Sequence, residues 1–175
     1  YPSNKRDITE YAIPKTVNNI SKKAFYKCTA LINVTIPDSV TSIGSYAFYG
    51  CTSLTNIVIP NNVTSIESAT FSECTSLTNM TIPDSVTSIG SYAFSQCSSL
   101  TAVSIPNGVE TLGDYTFSEC SNLIRIQIGK GIIKMPDNVL NNCNKLERIE
   151  VDENNTSYSS FDGVLFDKEK LSLIR

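Results

Sequence analysis

Six cysteines stand 23 residues apart, at Cys28, Cys51, Cys74, Cys97, Cys120 and Cys143, in a chain of 175 residues. The same interval separates Phe25, Phe48, Phe71, Phe94 and Phe117, with Leu140 in the sixth place. A third column runs through Leu31, Leu54, Leu77, Leu100, Leu123 and Leu146. Ile-Pro pairs keep the same phase from Ile13-Pro14 to Ile105-Pro106. A fixed period of about 20 to 50 residues marks a stack of coils, each unable to bury its apolar face alone. Six units therefore occupy residues 14–151, with 1–13 continuing from a preceding unit and 152–175 outside the pattern. A finer alternation sets Asp38 and Asp84 against Asn61 and Asn107, and Ala47 and Ala93 against Thr70 and Thr116, as duplication of a two-unit block would.

Within a unit, LINVTIP (31–37) alternates apolar and polar residues and favours β-branched types, which predicts a half-buried strand. Pro37 closes it, because proline removes a donor where pairing is ending anyway. Val40 and Ile43 then turn inward, and the spacing of Ala47, Phe48 and Cys51 predicts one short helical turn. Stacking buries each column against its own copies. Strands stack about 4.8 Å apart while helices need more room, so the expected array is an α/β solenoid with its parallel sheet on a concave side and short helices on the convex side.

Several function classes fall away. A net charge of -3 with both signs interspersed provides no basic footprint for nucleic acid. No apolar run approaches the roughly 20 residues that span a bilayer, and the first residues lack the order of a signal peptide. Histidine is absent, which removes imidazole as a base or ligand and with it the Ser-His and Cys-His nucleophiles. No cofactor is implied. Asp38 and Asp84 recur at equivalent turns, where such residues serve local hydrogen bonding, so no catalytic pair is assigned.

The unit IPDSVTSIGSYAFYGCTSL (36–54) resembles the BspA-like leucine-rich repeats, which read I-P-x-x-V-x-x-I-x-x-x-A-F-x-x-C-x-x-L. The tail NNTSYSSFDGVLFDKEKLSLIR is similar to a segment that interrupts arrays of that family, with a Y-x-S-x-D-G-V-L core. The family continues L-I-x-Y-P where this chain stops, and the chain starts with Tyr1-Pro2, which leads us to expect a module of a longer protein. Departures gather in the sixth unit: Gly129 for proline, Met135 for isoleucine, Leu140 for phenylalanine. Read from the residues, GVLFDKEKLSLIR predicts two strands around a polar turn at 167–170, a hairpin able to cover the last coil. The resemblance implies a right-handed leucine-rich repeat solenoid in a cell-surface or secreted protein, with host extracellular or cell-surface proteins as partners.

Three features could carry function. The cysteines lack metal-ligand spacing and read as small buried hydrophobes, with inter-coil disulfides within reach as the alternative. Tyr26, Tyr46, Tyr49, Tyr92 and Tyr115 fall beside the predicted helical edge, half buried across neighbouring coils. Sequons at Asn19, Asn33, Asn62, Asn79, Asn154 and Asn155 matter only in a glycosylating pathway. On the sheet, outward positions form two columns: Asn33, Asn56, Asn79, Ala102, Arg125, Arg148, and Thr35, Val58, Thr81, Ser104, Gln127, Glu150. They are uniform and uncharged at first, then break into Arg125, Gln127, Arg148 and Glu150 with Glu147 beside them. Drift on a solvated surface would produce that break, and so would a recognition patch. These five residues are the candidate binding site of a non-catalytic module for a protein ligand; the alternative is a spacer solenoid with no ligand of its own.

Overall fold

In the computed structural model the chain is described over residues 7–168 and along the backbone of Ser172 and Leu173. One row of parallel strands contains β1 (Glu10–Ala12), β3 (Asn33–Thr35), β5 (Asn56–Val58), β7 (Asn79–Thr81), β9 (Ala102–Ile105), β11 (Arg125–Ile128) and β12 (Arg148–Val151). Their register steps by one repeat, pairing Glu10 with Asn33, Asn56 with Asn79 and Arg125 with Arg148. A second row of two-residue strands follows each proline corner: β2 (Asn19–Ile20), β4 (Ser42–Ile43), β6 (Ser65–Ile66), β8 (Ser88–Ile89) and β10 (Thr111–Leu112). Side chains alternate as the pattern requires, with Val34, Ile57, Val103 and Ile126 buried between exposed neighbours and Ile149 buried between exposed Arg148 and half-buried Glu150.

The core is one continuous ladder. Phe48, Phe71, Phe94 and Phe117 are fully buried. Successive rings from Phe25 to Phe117 stack with centroids 5.0, 5.4, 5.5 and 5.4 Å apart and nearly parallel planes. Beside them the six cysteines are buried as thiols rather than disulfides. Each thiol from Cys51 onward also donates a hydrogen bond to the carbonyl of a phenylalanine in the coil before, Cys51 to Phe25 at 3.1 Å and Cys97 to Phe71 at 3.3 Å. Burial pushes the Cys51 thiol up to about 12 and likewise raises those of Cys74, Cys97 and Cys120, with the neighbouring thiol adding to the effect. Threonine is tolerated where other units of the column have alanine. Thr70 and Thr116 are buried, yet each hydroxyl bonds a carbonyl three residues earlier, that of Glu67 or Gly113, at 2.7 Å.

The expected short helices are not there: among the described residues the segment from Gly44 to Cys51 and its copies are turns. In each of the first five units two residues four apart hold positive φ, as Tyr46 (61°) and Gly50 (68°) do, or Tyr92 (59°) and Gln96 (60°), and in the sixth Asn142 does (59°). An α-helix needs φ near about −63° throughout, so it cannot pass through these points. The amides alternate instead. Tyr46, Phe48 and Gly50 donate to Ser68, Thr70 and Ser72 of the next coil at 3.1, 2.9 and 2.8 Å, while Ala47, Tyr49 and Cys51 donate three residues back. Both sides of the coil are thus hydrogen-bonded across the stack. The turn side repeats at ring spacings of 5.0 to 5.5 Å, well below the roughly 8–10 Å between packed helices. The helix-against-strand mismatch from which curvature was expected is therefore removed.

The tail forms an antiparallel sheet of β13 (Tyr158–Phe161), β14 (Val164–Asp167) and β15 (Ser172–Leu173). The expected pair appears as β14 and β15, with 169–171 of its turn outside the described residues. The unexpected strand is β13, joined to β14 by Asp162-Gly163 at φ of 49° and 81°, the positive pair that a two-residue hairpin turn needs. Asn155 fastens this cap. It is buried, its amide donating to the carbonyls of Gly129 and Ile132 while its oxygen accepts from the amides of Ser157 and Tyr158. The Tyr158 hydroxyl in turn accepts the Met135 amide at 2.8 Å. Gly129 and Met135, irregular as repeat residues, are thus the sites where the cap docks. A Cβ on Gly129 would meet the Pro106 backbone at 2.7 Å.

Candidate binding face

The seven longer strands present one outward face, and register rather than sequence proximity brings its candidate residues together. Arg125 stands opposite Arg148, and Gln127 opposite Glu150, on β11 and β12. Gln127 Nε2 donates to Glu150 Oε2 at 3.0 Å, and Arg148 Nε lies 3.6 Å from Glu150 Oε1. Glu150 therefore bridges the two columns. Among the described residues Arg125 has no carboxylate within salt-bridge distance, and it faces Arg148 across the strands, a like-charge pairing that is unfavourable.

Two shallow grooves divide the five candidates. One of about 570 Å³ crosses four strands and is lined by Thr81, Ser104, Gln127, Glu150 and Asp152 among others. The other, of about 480 Å³, holds Arg125, Arg148 and Glu147 with Ala102, Ile124 and Asp162. Asp162 was missed by sequence reasoning. Its only signal was the Asp-Gly dipeptide, a turn marker that says nothing of which surface the turn abuts. The Gly163 carbonyl accepts the Ile149 amide at 2.8 Å, which sets this turn against β12.

The earlier part of the face is bland. Asn33, Asn56 and Asn79, with Thr35 and Thr81, are exposed and bond at most to neighbours in the ladder, as Asn33 does to Glu10 at 3.5 Å. Val58 is 67% exposed in the same row. No group of acidic, cysteine or histidine side chains among the described residues could hold a metal ion. No helix there is long and apolar enough to cross a membrane.

A family model for the BspA type leucine-rich repeat region matches residues 3–98 and 71–171, in six copies. The chain belongs to the BspA-type leucine-rich repeat family. Solved structures of bacterial leucine-rich repeat proteins agree with this. A Treponema pallidum (T. pallidum) leucine-rich repeat protein is 32% identical over 81% of this chain and 68% of its own, with a TM-score of 0.78. A leucine-rich cell surface protein of Faecalibacterium prausnitzii is 31% identical, covering 97% of this BspA-type chain and 54% of its own, at a TM-score of 0.72. A Bacteroides ovatus leucine-rich repeat protein is 31% identical at 0.71, and the present chain spans 39% of it. No match was found among curated proteins. The chain is thus shorter than these relatives, most clearly than the last two.

Proposed function

We propose that this chain is a non-catalytic protein-binding or adhesion module of a cell-surface or secreted protein, and that its ligand docks on the strand face around Arg125, Gln127, Glu147, Arg148 and Glu150. The observation that carries the reading is the break in the outward columns at β11, while the inward strand column continues through Val103, Ile126 and Ile149, all buried. Stacking constrains inward residues, whereas outward ones are free. Repeated asparagine and threonine offer the same hydrogen bonds at every coil and cannot set the register of a protein ligand. A fixed arrangement of opposite charges can, because mismatched partners meet like charge. The leucine-rich cell surface relative supports a surface location, and host extracellular or cell-surface proteins are the partners that fit it.

The test uses the purified chain and cultured mammalian epithelial cells. Arg125→Glu with Arg148→Glu should reduce adherence at least about tenfold with an unchanged melting temperature, since outward charges do not support the core. Asn33→Ala with Asn56→Ala should alter neither. Loss of adherence in the asparagine variant with retention in the arginine variant would move recognition off this patch. No adherence by the unaltered chain would favour the spacer.

A further inference from the structure

The turn side carries two columns of side chains that the strand face does not use. One runs Lys23, Tyr46, Ala69, Tyr92, Tyr115 and the other Tyr26, Tyr49, Ser72, Ser95, Ser118, each one repeat from the next. Where aromatic residues are adjacent they cover one another: Tyr26 stacks on Tyr49 and Tyr92 on Tyr115, both with centroids 5.1 Å apart. Where lysine takes the place, its ammonium does so, with Lys23 Nζ 5.2 Å from the Tyr26 centroid and 5.8 Å from that of Tyr46. In the third coil the first column is interrupted by Ala69, and the second changes from tyrosine to serine at Ser72. A groove of about 530 Å³ opens there, lined by Tyr46, Tyr49, Ala69, Ser72, Glu73 and Tyr92 among others.

Three properties of this groove select an occupant. Tyr46 and Tyr49 meet at 50° and form two walls. Tyr92, 46% exposed, stands two coils from Tyr46. Coil spacing puts those rings about 10 Å apart, so a point midway is about 5 Å from each, inside the roughly 6 Å reach of a cation over an aromatic face. A flat ring would touch both walls only if they stood about 7 Å apart, two contact distances of about 3.5 Å, so a rounder group fits better. The charge is also one-sided. Tyr49 donates its hydroxyl to Glu73, holding that carboxylate at the groove, Glu119 lines it further along, and its lining includes no lysine or arginine.

We propose that the groove over Ala69 binds an alkylated ammonium group of the choline type, which takes between Tyr46, Tyr49 and Tyr92 the place that the Lys23 ammonium takes beside Tyr26 and Tyr46. The chain thus contains its own precedent for the contact, one ammonium against two tyrosine rings of adjacent coils. The ring faces supply negative potential and Glu73 balances the charge. This site shares no lining residue with the grooves of the strand face and does not depend on what binds there.

Titration of the intact chain with choline, followed by the ring resonances of its tyrosines, should give saturable shifts at Tyr46, Tyr49 and Tyr92. The carbon isostere, in which a tert-butyl group replaces trimethylammonium, should bind at least about tenfold more weakly, because it keeps the shape and loses the cation–π attraction. Equal binding of the isostere, or no saturable shift with choline, overturns the proposal. Ala69→Lys fills the slot with an internal ammonium and should abolish choline binding. Lysine at this column is accommodated at φ of 60° in the first coil, close to the 52° of Ala69. Should that variant fail to fold, Tyr92→Leu removes one exposed wall and should weaken choline about tenfold; unaltered affinity in a folded variant of either kind also overturns it. Phosphatidylcholine vesicles form a second arm. Choline binding with vesicle binding assigns the site to a lipid headgroup, and choline binding alone assigns it to a soluble or polymer-borne ligand.

Discussion

The Phe71 carbonyl meets two donors at once, the Cys74 amide at 3.2 Å and the Cys97 thiol at 3.3 Å, and the same pair of contacts recurs along the stack. Cysteine at this position is thus a hydrophobe small enough to lie beside the phenylalanine ladder that also supplies a weak donor to a buried carbonyl. The thiolate, not the thiol, is the reactive form, and burial suppresses it here. Titration with an aromatic disulfide at neutral pH should find few reactive groups in the native protein and all six after denaturation; fast reaction of the native protein would show that the ladder opens. Tyr49 provides a second test. Its hydrogen bond to Glu73, helped by burial and the carboxylate charge, raises it from 10.0 to about 12. A raised folded value means that this contribution to stability is fully present below about pH 10 and is lost as pH climbs through about 12. Melting temperatures of the unaltered chain and Tyr49→Phe should therefore converge across that window, and a constant difference would show that the contact is not formed.

Among the elements, the turn ribbon and the cap show how neighbours decide local structure. Ala47, Phe48 and Cys51 have the spacing of a helical turn, and all three are buried. Yet the ribbon satisfies its amides partly through the next coil, so inward spacing alone could not distinguish it from a helix. Asn155 makes four of the hydrogen bonds that order and dock the cap. Asn155→Ala would leave the carbonyls of Gly129 and Ile132 and the amides of Ser157 and Tyr158 without that side chain. Each buried group left unsatisfied costs about 1–3 kcal/mol. The expected outcome is early opening of the cap, seen as faster hydrogen exchange at the Met135 amide with little change in coils two to four. Uniform acceleration along the chain would mean that cap and array unfold as one unit.

At the scale of the whole molecule, the core is a line of identical contacts, and its interior members matter most because they touch a copy on either side. Phe71 is fully buried between Phe48 and Phe94, so Phe71→Ala should cost about 3–5 kcal/mol in chemical denaturation. Thr81→Ala, on the exposed face of β7, should stay within about 0.5 kcal/mol; equal costs would contradict the inside-outside assignment. That assignment was legible in the sequence because a stacked repeat places every residue beside its own copies, so the period alone separates the columns that stacking constrains from those it leaves free. The strands, their register, the buried thiols and the break in the outward columns at Arg125 all follow from it. Tertiary structure decided what depends on distance between coils. Amides that a lone unit would bond within itself go to the next coil instead, which replaced helices with turns. The cap brought Asp162 to the groove of Arg148, and two small residues of one turn, Ala69 and Ser72, opened a tyrosine-walled groove. No periodicity could announce these, because each arises from where a coil departs from its neighbours in space.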